Sequence, residues 1–516
     1  MASGEGTGAM SRRDALRHGT AAGSGATAVT LAPVAFAAEA GAPGGGDGRT
    51  RTRTVRGRLE AGAPDYLYLP VRVPRGVRRV DVAYTYDRPG VPAGTPGNAL
   101  DIGLFDERGT GEPGDGFRGW SGGARSSFFV SAEEATPGYL PGPVNPGTWH
   151  VVLGPYTIAP QGMEYEVTLT LTYGRPGRTP APVYPPERVA GRGRAWYRGD
   201  CHLHTVHSDG LCTPAEVAAA ARAAGLDFLA STDHNTTSAH GAWQGLWGDG
   251  LLVLCGEEVT TRNGHYLALG TDPGTFIDWR YRARDGAFAR YARRIRRAGG
   301  LVVPAHPHCP FVGCQWKAGF EEADAVELWN GPWTADDELS LATWDAALSG
   351  TGRWLPAMGN SDAHREPQVV GLPQTVVLAD DLSRPAILAG LAAGRSYLAE
   401  SSAVAVSLTV SDERGAHATI GERLHTDPGA RVTVRCHVTG APENGTVRLL
   451  TDQGELRVEP VPSGGAAQVE WDTTASLASY VRAEIRHAPA DGGASGLPGA
   501  MAAMTNPVFL GRDASR

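Results

Sequence analysis

The residues whose types and spacing could do chemistry gather in five short stretches. They read His202-Leu-His204 with Ser208-Asp209-Gly210, then Ser231-Thr-Asp-His234, then Gly256-Glu-Glu258-Val-Thr-Thr261 with Gly264-His265, then Pro304-Ala-His306-Pro-His308, and Gly359-Asn-Ser-Asp362-Ala-His364. Nine of the 15 histidines lie between residues 202 and 364, which random placement would not produce. Six imidazoles (His202, His204, His234, His265, His306, His364) and three carboxylates (Asp209, Glu258, Asp362) are too many for one tetrahedral zinc, which takes three or four protein ligands. Two or three divalent ions sharing a bridging carboxylate or hydroxide fit better, and mixed nitrogen and oxygen ligation suits Zn, Mn or Fe. Paired cations lower the pKa of a bridging water, orient a substrate oxygen and neutralise charge on the attacking and leaving oxygens, so the expected chemistry is hydrolysis of a small-molecule substrate. Asp233 and Glu257 are expected to orient ligand imidazoles. His207, His308 and Arg365 are candidates for protonating a leaving group or holding an anion.

The elements that must position these residues can be read around them. An apolar lead-in at Ala195, Trp196 and Tyr197 predicts a strand, on which residues two apart share a face, so His202 and His204 project together. The Ser-Asp-Gly turn then folds Asp209 back beside them. Thr213-Pro-Ala-Glu216 reads as a capping box with proline at the first helical position, and the Ala-rich helix after it stops at Gly225. A second helix is predicted over Gly286 to Ala298, with Phe288, Tyr291, Ala292 and Ile295 at apolar spacing and arginines on a solvated face. Further helices are expected near Ala335 to Leu348 and Arg384 to Ala393. Strands are predicted at 226–231, 251–255, 266–269, 301–303, 324–329, 354–358 and 375–378. Seven or so β/α units between residues 195 and 400 predict an α/β barrel, in which function sits at the carboxyl ends of the strands, where the motifs fall.

Flanking this centre, residues 56–175 and 401–512 alternate in short segments between Gly/Pro turns, which predicts an all-β sandwich on each side, with linkers at 41–55 and 176–194. Residues 1–40 carry the order of an export signal: Ser11-Arg12-Arg13-Asp14-Ala15-Leu16 in twin-arginine form, a weakly apolar run to Val34, and a small-x-small site at Ala35-Phe36-Ala37. The protein is therefore expected outside the cytoplasm after passing the Tat machinery, with no transmembrane segment. Net charge is −8 with no long basic run, so no dedicated nucleic-acid surface is indicated. Six cysteines are too few for a disulfide scaffold, although Cys309 and Cys314 are close enough in sequence to bridge.

His202-Leu-His204 with Ser208-Asp209-Gly210, Thr232-Asp233-His234, Glu258-Val-Thr-Thr followed by His265, Ala305-His306-Pro307 and Ser361-Asp362-Ala-His364 resemble the ordered motifs of the PHP family, the polymerase and histidinol phosphatase metal hydrolases. The resemblance spans about 165 residues and is specific as a set. It implies a distorted seven-stranded β/α barrel with two or three metals. It places the ligand role on Glu258 and not Glu257, and on Asp209 ahead of His207, which stays an alternative ligand because some members use a histidine in that stretch. Within the family the chain is most similar to the carbaryl-hydrolase-like (CehA/McbA) branch, on Gly256-Glu-Glu-Val-Thr-Thr261 followed by Gly264-His-Tyr266 and on Met504-Thr-Asn-Pro-Val508. The expected protein is an exported multinuclear hydrolase, with phosphoester cleavage, the family's commonest activity, ahead of carbamate, ester or amide cleavage. Arg262, Arg353 and Arg365 are available to bind phosphate; Trp316, Trp329 and Trp333 are available to line an aromatic pocket for the alternative. A secreted protein that holds metal without turnover is the reading from a different class, and nine competent ligand positions count against it.

Overall fold

A computed structural model describes residues 48–351, 354–490, 492 and 497–511. The twin-arginine stretch, its cleavage site and Arg353 lie outside the described residues. Residues 50–173 form two antiparallel four-stranded sheets. One has the order β1 (Thr50–Leu59), β8 (Met163–Tyr173), β3 (Val77–Tyr86), β6 (Ser127–Ser131); the other has β2 (Leu67–Val73), β7 (Gly147–Thr157), β4 (Ala99–Phe105), β5 (Phe117–Gly122). They close on Val71, Ile102, Trp149 and Val151 from one side and Val80, Val82, Val167 and Leu169 from the other. β1 starts at Thr50, inside the stretch expected to be a linker. Its Arg/Thr alternation suits a polar edge strand: Thr52 and Thr54 pair hydroxyl to hydroxyl with Thr170 and Thr168 at 3.0 and 3.1 Å.

In the centre, β9 (Ala195–Asp200), β10 (Phe228–Ser231) and β11 (Leu252–Thr261) are parallel neighbours. Antiparallel strands extend both edges, β12 (Gly264–Leu269) and β13 (Leu301–Ala305) on one side, β16 (Gln374–Ala379) and β17 (Ser396–Ala399) on the other. β14 (Val326–Asn330) and β15 (Ala357–Asn360) make a separate parallel pair. The described helices here are α1 (Pro214–Ala223), α2 (Phe288–Arg297), α3 (Ala335–Thr351) and α4 (Arg384–Ala392). The architecture is therefore mostly β in several sheets with few helices, and the expected run of seven β/α units is corrected. Only Arg262 and Asn263 separate β11 from β12, whereas a parallel crossover needs a dozen or more residues. Among the described residues, no ladder joins β13 to β14 or β15 to β9, so the strands do not form a hydrogen-bonded closed ring.

The predicted helix signals act as read. Thr213 Oγ1 accepts from the Glu216 N–H while the Glu216 carboxylate accepts from the Thr213 N–H at 2.7 Å, starting α1 just after the first ligand loop. In α2 the buried face is Phe288, Tyr291, Ala292 and Ile295.

Beyond Ser401, strands Ala405–Asp412, Arg431–Thr439 and Ala467–Thr474 form one sheet facing Thr446–Thr451, Tyr480–Arg486 and Met501–Thr505 across Leu408, Val434, Val447 and Ile485. The strand Met501–Thr505 pairs with β17, so this layer continues the central sheet instead of separating from it at residue 400. At the other end, Phe117 stacks on Phe276 with ring centroids 4.1 Å apart, and Trp120 lies 4.8 Å from Trp279. No helix among the described residues is long and apolar enough to cross a membrane.

Candidate metal centre

The strand ends bring all nine predicted ligand side chains into one buried cluster. His202 and His204 follow β9, His234 follows β10, His306 follows β13, and Asp362 and His364 follow β15. Glu258 lies within β11, and the two-residue turn to β12 returns His265 beside it, with His265 Nδ1 2.8 Å from Glu258 Oε1. His306 (φ +32°) and Asp362 (φ +49°) adopt a left-handed backbone that a β-carbon disfavours, a strain of about 1–3 kcal/mol each that the surrounding packing must hold.

Three overlapping groups result. His204, Asp209, His234 and His364 form one, with Asp209 Oδ1 3.3 Å from His364 Nε2 and 3.5 Å from His234 Nε2. His202, His204, Glu258 and Asp362 form the second, with His204 Nε2 3.1 Å from Asp362 Oδ1 and 3.3 Å from Glu258 Oε2. In the third, His265 and His306 flank Glu258 Oε1 at 2.8 and 3.2 Å. Cys314 also borders these two imidazoles, but it is bonded to Cys309 and offers no thiolate.

These residues fit divalent cations. His202 Nε2, His204 Nε2, Asp209 Oδ1, Glu258 Oε2 and His265 Nε2 are buried without a well-aligned hydrogen bond, an arrangement that suits atoms meant for another partner such as a cation. Two ligands each about 2.1 Å from one tetrahedral ion stand roughly 3.4 Å apart, and the contacts of the first two groups run from 3.1 to 3.5 Å. Without a cation, protons on His202 and His204 would balance the acids. Burial opposes charge on Glu258, yet His234, His202 and His265 hold it well below the usual carboxylate range. Asp209 is likewise held low, by His364 and His234 against burial. Burial also opposes charge on His204, but the Asp362 and Glu258 carboxylates beside it raise it to about 10. His265 is pushed down to about 4 by burial. Cations would replace the protons, since ligand nitrogens must be deprotonated to bind.

The other residues singled out have the following surroundings. Asp233 orients no ligand ring directly; it accepts from Thr205 and from Ser208 Oγ at 2.7 Å, and Ser208 Oγ stands 3.3 Å from His204 Nδ1. Glu257 points away from the cluster and accepts the Ile277 N–H, because alternate residues of β11 face opposite sides. His207 Nδ1 lies 2.9 Å from Ser238 Oγ and His308 Nε2 lies 2.8 Å from Thr343 Oγ1 on α3; neither joins the ligand groups. Arg365 donates its backbone N–H to Gln368 Oε1. Arg262 is engaged by Pro155 O at 2.7 Å and lies over the Tyr156 ring. Trp316 and Trp329 are core residues, and Trp333 donates to Glu338. Two contacts were not foreseen: Thr260 Oγ1 lies 2.6 Å from His234 Nδ1, and Glu327 lies 3.0 Å from His202 Nδ1. The signal for Glu327 was present, an acid inside the apolar strand Val326-Glu-Leu-Trp-Asn330.

No family model matches the chain. An uncharacterized protein of Methanocaldococcus jannaschii is 25% identical over 154 residues, covering 26% of this chain and 81% of that protein. Among solved structures, a two-domain protein of Bacteroides vulgatus, described as containing a predicted PHP-like metal-dependent phosphoesterase, is 16% identical. It covers 60% of this chain and 95% of its own, with a TM-score of 0.33. A protein of Bifidobacterium adolescentis described as a metal-dependent phosphoesterase is 23% identical over 36% of this chain and 92% of its own, with a TM-score of 0.24. An amidohydrolase of Chromobacterium violaceum is 21% identical over 34% of this chain and 89% of its own, with a TM-score of 0.23.

Proposed function

We propose that this chain is an exported, multinuclear metal-dependent hydrolase of the PHP type that cleaves a phosphoester. The observation that carries the proposal is Glu258, whose two oxygens face different sets of imidazoles inside a single buried cluster of nine ligand-competent side chains. Asp209, His234 and His364 would hold one ion, His202, His204, Glu258 and Asp362 a second, and His265 and His306 with Glu258 a third. Bound divalent cations there would supply an activated water and neutralise charge on a phosphoryl oxygen. The chain's own residues do the rest. Asp233 acts through Ser208 to set the His204 ring, Thr260 sets His234, and Arg365, next to His364, is the candidate to hold a substrate anion.

A distorted barrel is the arrangement that places these loops at one end. It is supported by the bonds that span both gaps in the ladder: Asp324 N–H to Val302 O at 2.8 Å, and Cys201 N–H to Asn360 Oδ1 at 2.9 Å. Export is supported by the Cys309–Cys314 disulfide, which persists in oxidising compartments. The test joins metal analysis of the purified protein to a panel of bis-aryl phosphate, aryl phosphate, aryl carbamate and aryl ester substrates. Two or three equivalents of divalent metal and phosphoester turnover are expected. A protein with no bound metal would sink the hydrolase, whereas turnover confined to carbamates or esters would move the substrate to that of the carbaryl-hydrolase-like branch.

A further inference from the structure

Glu327 is fully buried as the second residue of β14, and every group that meets its carboxylate is a donor or can be one. Oε1 accepts from Asn360 Nδ2 at 2.9 Å and Oε2 accepts from Asn330 Nδ2 and from the His306 backbone N–H, both at 3.0 Å. The Asn360 amide has its orientation decided elsewhere, because its Oδ1 accepts the Cys201 N–H at 2.9 Å and so turns its NH2 to Glu327. His202 Nδ1 completes the set, 3.0 Å from Oε1 and 3.2 Å from Oε2. With three N–H donors already on its two oxygens the carboxylate faces His202 as an acceptor, which places the imidazole proton on Nδ1.

The geometry points to Glu327 as a positioning residue for the metal centre, which fixes His202 in the Nδ1–H tautomer so that Nε2 is the nitrogen offered to a cation. That nitrogen faces Glu258 Oε2 at 3.2 Å and Asp362 Oδ1 at 3.4 Å. The same carboxylate anchors the backbone of His306, so one residue of β14 sets a side chain in the second ligand group and a main chain in the third. The inference rests on the reading of the cluster as a metal centre. A carboxylate behind a ligating imidazole both orients the ring and raises its basicity, and losing such a partner weakens metal binding by about 10–100-fold. Glutamine cannot substitute, because either orientation of its amide sets an NH2 against donors on that side, and turned toward His202 it favours the tautomer with Nε2–H.

The test uses the full chain stripped of metal, with Glu327→Gln and Glu327→Ala compared with wild type by thermal unfolding and by zinc titration against a chromophoric chelator. Cobalt titration reads the visible absorption of the site independently of turnover. Glu327→Gln should fold and bind zinc about 10–100-fold more weakly, with a changed cobalt spectrum. Formate, which can enter the space left in Glu327→Ala, should restore part of that variant's affinity; should the glutamine variant fail to fold, this comparison decides. Wild-type zinc affinity in either folded variant overturns the role of Glu327, as does an alanine variant that formate leaves unchanged. A wild type that binds no zinc at all overturns the metal-centre reading together with it.

Discussion

Glu258 Oε1 lies 2.8 Å from His265 Nδ1, across the two-residue turn that reverses β11 into β12. Its other oxygen stands 3.2 Å from His202 Nε2, so a single side chain faces two ligand groups. Glu258→Gln preserves shape but removes the charge that neutralises neighbouring cations. The variant should lose more than one equivalent of metal, and kcat/KM should fall on the order of 100-fold or more. Metal analysis beside steady-state kinetics checks this, and full metal content in the variant would contradict the bridging position.

The N-terminal sheets reach the centre through Gly138. Its N–H donates to Ser238 Oγ at 3.0 Å and its carbonyl accepts from Thr236 Oγ1 at 3.1 Å, while Ser238 Oγ is 2.9 Å from His207 Nδ1. Gly138 has φ +97°, and a β-carbon there would stand 2.9 Å from the His207 carbonyl oxygen. Gly138→Ala should therefore destabilise the chain by about 1–3 kcal/mol and push the His204–Asp209 loop. Zinc affinity should drop several-fold although no ligand has changed. Unaltered affinity in a folded variant would show that the sandwich does not hold that loop.

The cluster of histidines and acids was legible because metal binding needs particular residue types, and those stood at predicted strand ends. The supporting shell was less so. Glu327 and Thr260 reach their histidines across strands 125 and 26 residues away, a relation set by packing and not by spacing. Glu257 carried the right chemistry but the wrong direction, since one position along β11 turns a side chain to the opposite face, and Asp233 reaches the His204 ring only through Ser208. Helix α1 followed from its cap, whereas the run of β/α units failed at the Arg262-Asn263 turn, whose length already excluded a crossover. The first residues of β1 fall in the predicted 41–55 linker because that stretch is rich in Gly, Pro, Arg and Thr, and composition alone does not show the β8 edge that pairs with it.

Asp337 gives a pH dependence. Its carboxylate accepts from the Asn330 N–H at 3.0 Å and from the Thr334 N–H at 2.7 Å, and burial pushes it up to about 7. A carboxyl raised above its unfolded value near 4 contributes stability that is complete below that value and is lost as pH rises toward about 7. Asp337→Asn does not titrate, so relative to wild type it should gain a few kcal/mol between roughly pH 4.5 and 7.5. Urea unfolding of both proteins at the two pH values checks this. A difference that stays constant would mean the aspartate ionises freely.

The Cys309–Cys314 disulfide closes the strap that leads from β13 toward β14. That strap begins with His306 and lies over the β11–β12 turn, where the Gly264 N–H donates to Gly313 O at 2.9 Å and the Lys317 N–H to Asn263 O at 3.0 Å. Cys314 Sγ is 3.4 Å from His306 Nδ1, so the bridge also occupies one side of a ligand ring. Replacing both cysteines with serine releases a short loop, a loss of about 2 kcal/mol by the entropic account, and frees the His306 ring to turn. His204, Asp209, His234 and His364 sit on other loops. The double variant should keep the zinc equivalents of the other two groups and weaken the one that His265 and His306 share, a difference that calorimetric titration resolves as a change in one binding step. Equal weakening of every step would mean that the strap supports the whole cluster, and no weakening would mean that β13 alone holds His306 in place.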